Sequence, residues 1–472
     1  MKYGIRSCAT VAVLILLASS SVLCQKTPPE KQAAGTQSIG DAVQAEDKTA
    51  ASHQRPENRE ATAQPVAGTR HIHILYMHGI NQVGAGDSLL LRKAICKYLG
   101  ECSVTSLGRM YADGPFAVDS VPPTLAYMGD RIWKSQEEWS ASAPFVDRYE
   151  ITGKGHTPIL LDEFNWWPLV YPLKCKQLIT RDSRMTGPSK PQLDICATPT
   201  TPDPAHPKRY LSYQWIQSSE ASDLNHISRH AATLNRSLKN GLMDWGFADA
   251  VLALGPMEEV LTAGIRELLV QSLQSYAKNL QTSEGEDVDA EVFFVTHSLG
   301  SYLALIACNS DLPGPQEPEL SNLRITPEQR QAADYFSTHT AGFYFLANQI
   351  ALLELARVRV PAATSGDGGP CASTNEGKSV PSSIAHWSCE RELYLKQRGS
   401  VVPEPQIVAW SDPNDLLSWE VPEIEGVHVV NISVHNSGFK IPLFLESPTS
   451  AHANYAKNRE VLRLILKPSS GH

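Results

Sequence analysis

The chain has 472 residues, a hydrophobic content of 42% and a formal net charge of −9. A chain of this size and composition can bury the core of one enlarged domain or of two domains. A surface with this average charge repels polyanions, so we expect no nucleic-acid partner.

The amino terminus has the pattern of an export signal. Lys2 and Arg6 precede an apolar run over residues 9–17, and small residues follow it. We assign residues 1–24 to a signal peptide and expect an exported protein, periplasmic or secreted. The run is shorter than the ~20 apolar residues of a bilayer span, which disfavours a membrane anchor. Lipid attachment at Cys24 is the alternative, although the residue before it is not small.

Residues 25–70 are predicted to form a disordered linker. They contain no aromatic residue and are rich in Gln, Ala, Thr, Glu and Pro. Folding this segment would bury too little apolar surface to offset the entropy of ordering it. We expect residues 71–472 to form the folded domain.

The first strand-like run of that domain ends in His78, Gly79 and Ile80. A backbone N–H just after such a strand can bind an oxyanion, and Gly79 allows the backbone to come close to a substrate. The segment resembles the loop from which α/β-hydrolases take one N–H of their oxyanion hole, and this resemblance implies that Ile80 supplies the donor, with His78 and Gly79 in support. Asp87 is expected to cap a helix over residues 88–99.

His71 and His73 form a His-x-His pair in the same run. Such a pair can bind a metal, but it lies before the apolar part of the strand. We interpret both as ordinary strand residues.

Three pairs of neighbouring cysteines are candidates for disulfides: Cys96 with Cys102, Cys175 with Cys196, and Cys371 with Cys389. Disulfides persist in oxidising compartments, which agrees with export. The sequence alone does not fix the connectivity. Cys308 lies in an apolar segment and is expected to be a buried thiol.

Residues 157–163 are predicted to form a strand, and a long insertion follows at about 164–285. The insertion has helical runs near 223–242 and 257–280, so we expect a helical cap over the site. Its candidates for pocket walls are Trp166, Trp167 and Trp245. Core packing is the favoured interpretation of each tryptophan.

Residues 291–307 read as a β-prone apolar run, a tight corner at Ser298, Leu299 and Gly300, and a helix-compatible segment. Such a corner lifts the Ser298 oxygen above the sheet edge, and the helix amino terminus favours nearby negative charge. Gly300 permits close approach of strand and helix. Thr296 stands where the G-x-S-x-G pattern has its first glycine, which weakens the motif.

Two aspartates follow the strand-like run 406–410. Asp415 is the favoured partner for a histidine, because its Asp-Leu-Leu-Ser stretch resembles the Asp-x-Val-Val context of the acid in hydrolases. Asp412 precedes a proline and suits a turn, but it is the alternative acid.

His452 lies after the last strand-like run, 427–434, and before an amphipathic final helix. We place it in a loop from which its ring can reach Ser298. His435 is the competitor, and it ranks lower because it follows the strand directly.

Together these residues resemble the α/β-hydrolase superfamily, in its lipase and esterase-like branch. The resemblance covers residues 71–466, and the order nucleophile, acid, base is the one that the family uses. It implies an α/β fold with a mainly parallel sheet and helices on both faces. It also implies a catalytic triad of Ser298, Asp415 and His452, with an oxyanion hole formed by Ile80 and Leu299.

The resemblance further implies a serine hydrolase that acts on a carboxylic ester, either a small molecule or a lipid, without metal or organic cofactor. Contact with a membrane surface stays open. The alternatives are a peptidase or acyltransferase with the same triad, and a non-catalytic binding protein on a hydrolase scaffold.

Overall fold

A computed structural model of the chain describes the following residues: 71–80, 85–112, 126–127, 130–131, 143–175, 178, 243–244, 246–255, 257–280, 290–309, 325–355, 371, 382–399, 404–436, 440–441, 445–446 and 448–466. The signal peptide and linker expected for residues 1–70 lie outside these segments. So do Trp245, Cys196 and the helical run near 223–242.

An eight-stranded sheet forms the centre of the fold. Its strands are β1 (His71–Met77), β2 (Cys102–Tyr111), β3 (Phe145–Gly153), β4 (Ile159–Asn165), β5 (Ala290–His297), β6 (Thr340–Leu346), β7 (Gln406–Ser411) and β8 (His428–Ser433). Their spatial order is β8-β7-β6-β5-β1-β4-β3-β2. The strands from β8 to β4 are parallel, and β3 runs antiparallel to β4 and β2. The predicted α/β class with a mainly parallel sheet is confirmed.

Two short antiparallel pairs lie outside this sheet: Ala126–Tyr127 with Asp130–Arg131, and Lys440–Ile441 with Leu445–Glu446. The helices are α1 (Leu89–Leu99), α2 (Tyr171–Lys174), α3 (Ala248–Leu254), α4 (Met257–Leu280), α5 (Leu299–Cys308), α6 (Pro327–His339), α7 (Ile350–Glu354), α8 (Ser382–Gln397), α9 (Pro448–Ala453) and α10 (Arg459–Ile465). Trp167–Leu169 and Tyr455–Lys457 form 3₁₀ turns.

Both faces of the sheet are buried, because successive side chains of a strand point to opposite faces. In β1, Leu75 and Met77 pack on one side against α4, α5, α6 and α8. Ile74 and Tyr76 pack on the other side against α1 and α10. Burial on both sides explains why β1 reads as a continuous apolar run rather than an alternating one.

A buried ionic cluster joins three strands to α4. His73 donates through Nε2 to Asp162 Oδ2 at 3.0 Å, and Arg148 donates to both Asp162 oxygens. Arg148 also donates to the Ser272 carbonyl at 2.7 Å. Burial opposes the charge on Asp162, but Arg148 and His73 hold the pKa of that carboxyl below its usual range. His73 is thus part of the core, in agreement with its interpretation as a strand residue.

The helix at Met257–Leu280 corrects part of the expected cap. Val260, Leu261 and Leu268 are fully buried in the core against the sheet, so this helix covers a face of the sheet instead of lying over Ser298. The helical run over residues 257–280 that contributed to the expected cap therefore packs on the strands. Within the predicted insertion, residues 176–177, 179–242, 245, 256 and 281–285 lie outside the described residues.

Two of the expected disulfides are present, Cys96 with Cys102 and Cys371 with Cys389. Cys196 of the third pair lies outside the described residues. Cys308 is buried as expected, and burial raises the pKa of its thiol to about 12. Among the described helices, none combines the length and apolar character needed to span a bilayer.

Candidate active site

Ser298 occupies a sharp corner between β5 and α5. Its backbone has φ 54° and ψ −123°. Residues other than glycine rarely adopt this conformation. The Ser298 N–H donates to the Leu346 carbonyl at 2.7 Å. A Cβ added at Gly300 would lie 2.5 Å from the His78 carbonyl oxygen, so this position needs glycine. The predicted strand, turn and helix are therefore all observed around Ser298.

Thr296, the departure from the usual glycine, fits without an unpaired hydroxyl. Its Oγ1 lies 2.9 Å from Ser301 Oγ and donates to the Tyr344 carbonyl at 3.4 Å. Thr296 and Ser301 are fully buried. The extra side chain is accommodated because a serine on the first turn of α5 shares its hydrogen bond.

Ser298, His452 and Asp415 form one row of hydrogen bonds. His452 Nε2 lies 3.1 Å from Ser298 Oγ, and His452 Nδ1 lies 3.0 Å from each Asp415 oxygen. A carboxylate only accepts, so Nδ1 carries the proton and Nε2 is left as the acceptor for the Ser298 hydroxyl. The Asp415 side chain is fully buried, whereas that of His452 is 14% exposed. The structure thus brings together three residues that are distant in the sequence.

His452 lies in the short helix α9, which corrects its expected placement in a loop. The 3₁₀ turn Tyr455–Lys457 and α10 follow it. His452 reaches Ser298, whereas His435 follows β8 and accepts through its carbonyl from Asn458. The ranking of the two histidines agrees with the observed geometry.

The two aspartates after β7 have separate partners. Asp415 binds His452, whereas Asp412 accepts from the backbone N–H groups of Asn414 and Asn436. Asn436 in turn donates through Nδ2 to the carbonyl of Ala451, the residue before His452. Asp412 therefore ties the acid loop to the segment that carries the histidine.

Tyr455 supports the acid and was not singled out from the sequence. Its hydroxyl donates to Asp415 Oδ2 at 3.1 Å and accepts from the Asp412 N–H at 2.7 Å. Tyr455 is fully buried. Burial and the neighbouring Asp415 raise the pKa of its hydroxyl, so it stays a neutral donor.

His297, directly before Ser298, is a second residue that sequence reasoning missed. Its Nε2 donates to the His452 carbonyl at 3.0 Å, and the two rings pack edge to face. Burial lowers the pKa of His297 to about 4, and the charge of His452 acts in the same direction. His297 is therefore a neutral ring that holds the backbone of His452. Its position next to Ser298 was the available signal.

The segment expected to form the oxyanion hole lies against the serine. A Cβ on Gly79 would lie 2.7 Å from Ser298 Cβ, so the backbone of Gly79 touches the corner directly. Leu299 is the first residue of α5, where helical N–H groups have no partner in the helix. Ile80 packs at the edge of the core.

His78 fixes the start of this segment. Its ring stacks on Trp166 at 4.9 Å between centroids, and Trp166 Nε1 donates to the His78 carbonyl at 3.1 Å. Burial lowers the pKa of His78 to about 4, so the ring is neutral. Trp166 and Trp167 are buried, which agrees with core packing rather than with pocket walls.

Comparisons with protein-family models, with curated proteins and with solved structures found no match for this chain.

Proposed function

We propose that this chain is a serine hydrolase of the α/β-hydrolase fold, acting on a carboxylic ester through an acyl-enzyme. The observation that carries the proposal is the row of hydrogen bonds from Asp415 through His452 to Ser298. The sharp corner at Ser298 and the neighbouring position of β1 and β5 in the sheet support it, because the fold builds its oxyanion hole between these two strand ends.

In the proposed mechanism, Ser298 Oγ attacks the ester carbonyl carbon while His452 Nε2 takes the hydroxyl proton. The Ile80 and Leu299 N–H groups bind the oxygen that becomes negative. His452 then gives the proton to the leaving alcohol, and the acyl group stays on Ser298. A water molecule, deprotonated by His452, hydrolyses this acyl-enzyme.

Asp415 holds the Nδ1–H tautomer of His452 and stabilises the imidazolium that forms. Tyr455 and Leu417 donate to the Asp415 oxygens, which leaves the carboxylate in one orientation. His297, neutral and bound to the His452 carbonyl, holds the base without competing for its proton. Each contact acts on the position or protonation state of His452.

We also propose that the protein is exported. The two disulfides support this, because such bonds form and persist outside the reducing cytosol. The apolar run after Lys2 and Arg6 has the pattern of an export signal.

A substrate panel tests the proposal: nitrophenyl esters of increasing acyl length, a phospholipid, and a peptide amide. We expect turnover of at least one ester, lost in Ser298→Ala. Rates that rise with acyl length indicate a lipid ester. Cleavage of the peptide alone indicates a peptidase, and a wild-type protein inactive on every substrate contradicts the proposal.

A further inference from the structure

A second buried carboxylate lies at the end of β4, beside the proposed active site. Glu163 is fully buried. Its Oε1 accepts from the N–H groups of Gly86 and Asp87 at 2.5 and 3.0 Å. Its Oε2 accepts from the Ser88 N–H at 3.3 Å and from the Ser88 hydroxyl. One side chain thus binds three consecutive backbone N–H groups.

These N–H groups lie in the turn that enters α1, and the side-chain cap expected from Asp87 is not formed. Asp87 was expected to cap this helix, but its carboxylate accepts from the Tyr76 hydroxyl at 2.6 Å. Ser88 is the N-cap residue, and its side chain makes no capping bond. From another strand, Glu163 supplies the acceptor for the N–H of this N-cap residue and for the two N–H groups before it.

Trp166 and Glu163 bind the two ends of the connection between β1 and α1. Trp166 donates to the His78 carbonyl just before Gly79 and Ile80, and Glu163 binds residues 86–88. Only four residues separate Ile80 from Ala85. Fixing both ends of so short a connection limits where the Ile80 N–H can lie.

We infer that Glu163 is a positioning residue for the oxyanion hole, fixing the segment after β1 so that the Ile80 N–H faces the carbonyl oxygen bound at Ser298. The inference rests on the proposed function. It predicts that loss of Glu163 weakens binding of the oxyanion more than binding of the uncharged substrate.

A trifluoromethyl ketone separates these effects. Ser298 Oγ adds to the ketone carbon, the carbonyl π bond becomes a C–O⁻ that the oxyanion hole binds, and the Ser298 proton moves to His452. For Glu163→Ala we expect kcat/KM to fall by about 10²-fold, with KM changed by less than about 3-fold. The inhibition constant of the ketone should rise by the same factor as kcat/KM falls. Glu163→Gln, which keeps one acceptor oxygen, should lie between Glu163→Ala and wild type.

Asp147→Asn is the matched control. Asp147, on β3, is the cross-strand neighbour of Glu163 on β4. Its carboxylate binds Arg109 rather than the segment before α1. We expect its kcat/KM and ketone affinity to stay at the wild-type values. If Glu163→Ala does not fold, Ser88→Ala removes only one donor and should show a smaller change in the same direction.

Amide hydrogen exchange of peptides covering residues 85–92 tests the anchoring without any substrate. We expect faster exchange in Glu163→Gln and wild-type exchange in Asp147→Asn. Unchanged exchange or unchanged ketone affinity in the Glu163 variants overturns the inference. Faster exchange in Glu163→Gln, together with a wild-type protein that forms no hemiketal with the ketone, overturns the proposed function and leaves Glu163 only as the anchor of residues 86–88.

Discussion

Asp412 and Asp415 lie three residues apart in one loop, yet their carboxylates bind different parts of the molecule. Asp415 accepts from His452, and Asp412 accepts from Asn414 and Asn436. The Tyr455 hydroxyl joins the two by donating to Asp415 and accepting from the Asp412 N–H. One aspartate therefore orients the base, and the other fixes the loops around it.

This division predicts different effects of removing each charge. Asp415→Asn should lower kcat by about 10³- to 10⁴-fold, because the amide no longer enforces the Nδ1–H tautomer of His452. Asp412→Asn should lower kcat by less than about tenfold but destabilise the fold by about 1–3 kcal/mol. Steady-state kinetics and urea unfolding measure both effects. Equal losses of kcat in the two variants would contradict the assignment.

Tyr455→Phe tests the support of the acid. The variant keeps the buried ring but removes the hydroxyl donor to Asp415 and the acceptor for the Asp412 N–H. We expect a loss of about 1–3 kcal/mol in the free energy of unfolding and a kcat lowered by up to about tenfold. Tyr302→Phe is the control, because it also removes a tyrosine hydroxyl. That hydroxyl donates to Glu258 on the other face of the sheet. A kcat lowered equally in both variants would show that the effect is general.

Gly300→Ala tests the close approach of α5 to the end of β1. Its Cβ would lie 2.5 Å from the His78 oxygen and 2.8 Å from the Met77 oxygen, both backbone atoms that cannot rotate away. We expect destabilisation by about 1–3 kcal/mol and a loss of activity through displacement of His78 and Gly79. Gly342→Ala is the control, because its nearest neighbour would be 3.5 Å away. Thermal unfolding should give a lower Tm for Gly300→Ala than for Gly342→Ala. Similar Tm values in the two variants would refute the close contact.

The buried neutral histidines predict a loss of stability in acid. Burial lowers the pKa of His78 and of His297 from 6.5 to about 4. Between these values the unfolded chain binds more protons than the folded one, so the free energy of unfolding falls as the pH falls from about 6.5 to about 4. Urea unfolding at pH about 7 and about 5 measures the slope. His78→Phe should have a shallower slope than the wild-type protein, and equal slopes in the two proteins would contradict this origin.

The parts of the fold that the sequence predicted are those with a strong local pattern. The buried parallel strands β1 and β5 have apolar runs over residues 74–77 and 292–295, and the turn residues at Ser298 and Gly300 mark where strand gives way to helix. Ser298, Asp415 and His452 follow β5, β7 and β8 along the chain, in the order that the sequence predicted. These features could be predicted because each sequence pattern lies within a few consecutive residues.

Other parts depend on contacts between distant residues. Strand β2 is largely exposed at the sheet edge and has no apolar periodicity, so its pairing with β3 could not be predicted. The acceptor for the turn before α1 comes from Glu163, 75 residues after Ser88. Helix α4 was predicted as a helix, but its position on the sheet depends on Arg148 and Asp162. Amphipathicity predicts a buried face without naming the surface that buries it.

Labelling with a fluorophosphonate tests the catalytic row most directly. The Ser298 oxygen forms a covalent bond to phosphorus only if His452 removes its proton, and fluoride leaves. We expect wild-type protein to incorporate one label per chain, located at Ser298 by mass spectrometry of its peptides. We expect no label in Ser298→Ala and slow labelling in Asp415→Asn. A folded wild-type protein that stays unlabelled, or a label that persists in Ser298→Ala, would contradict the proposed function.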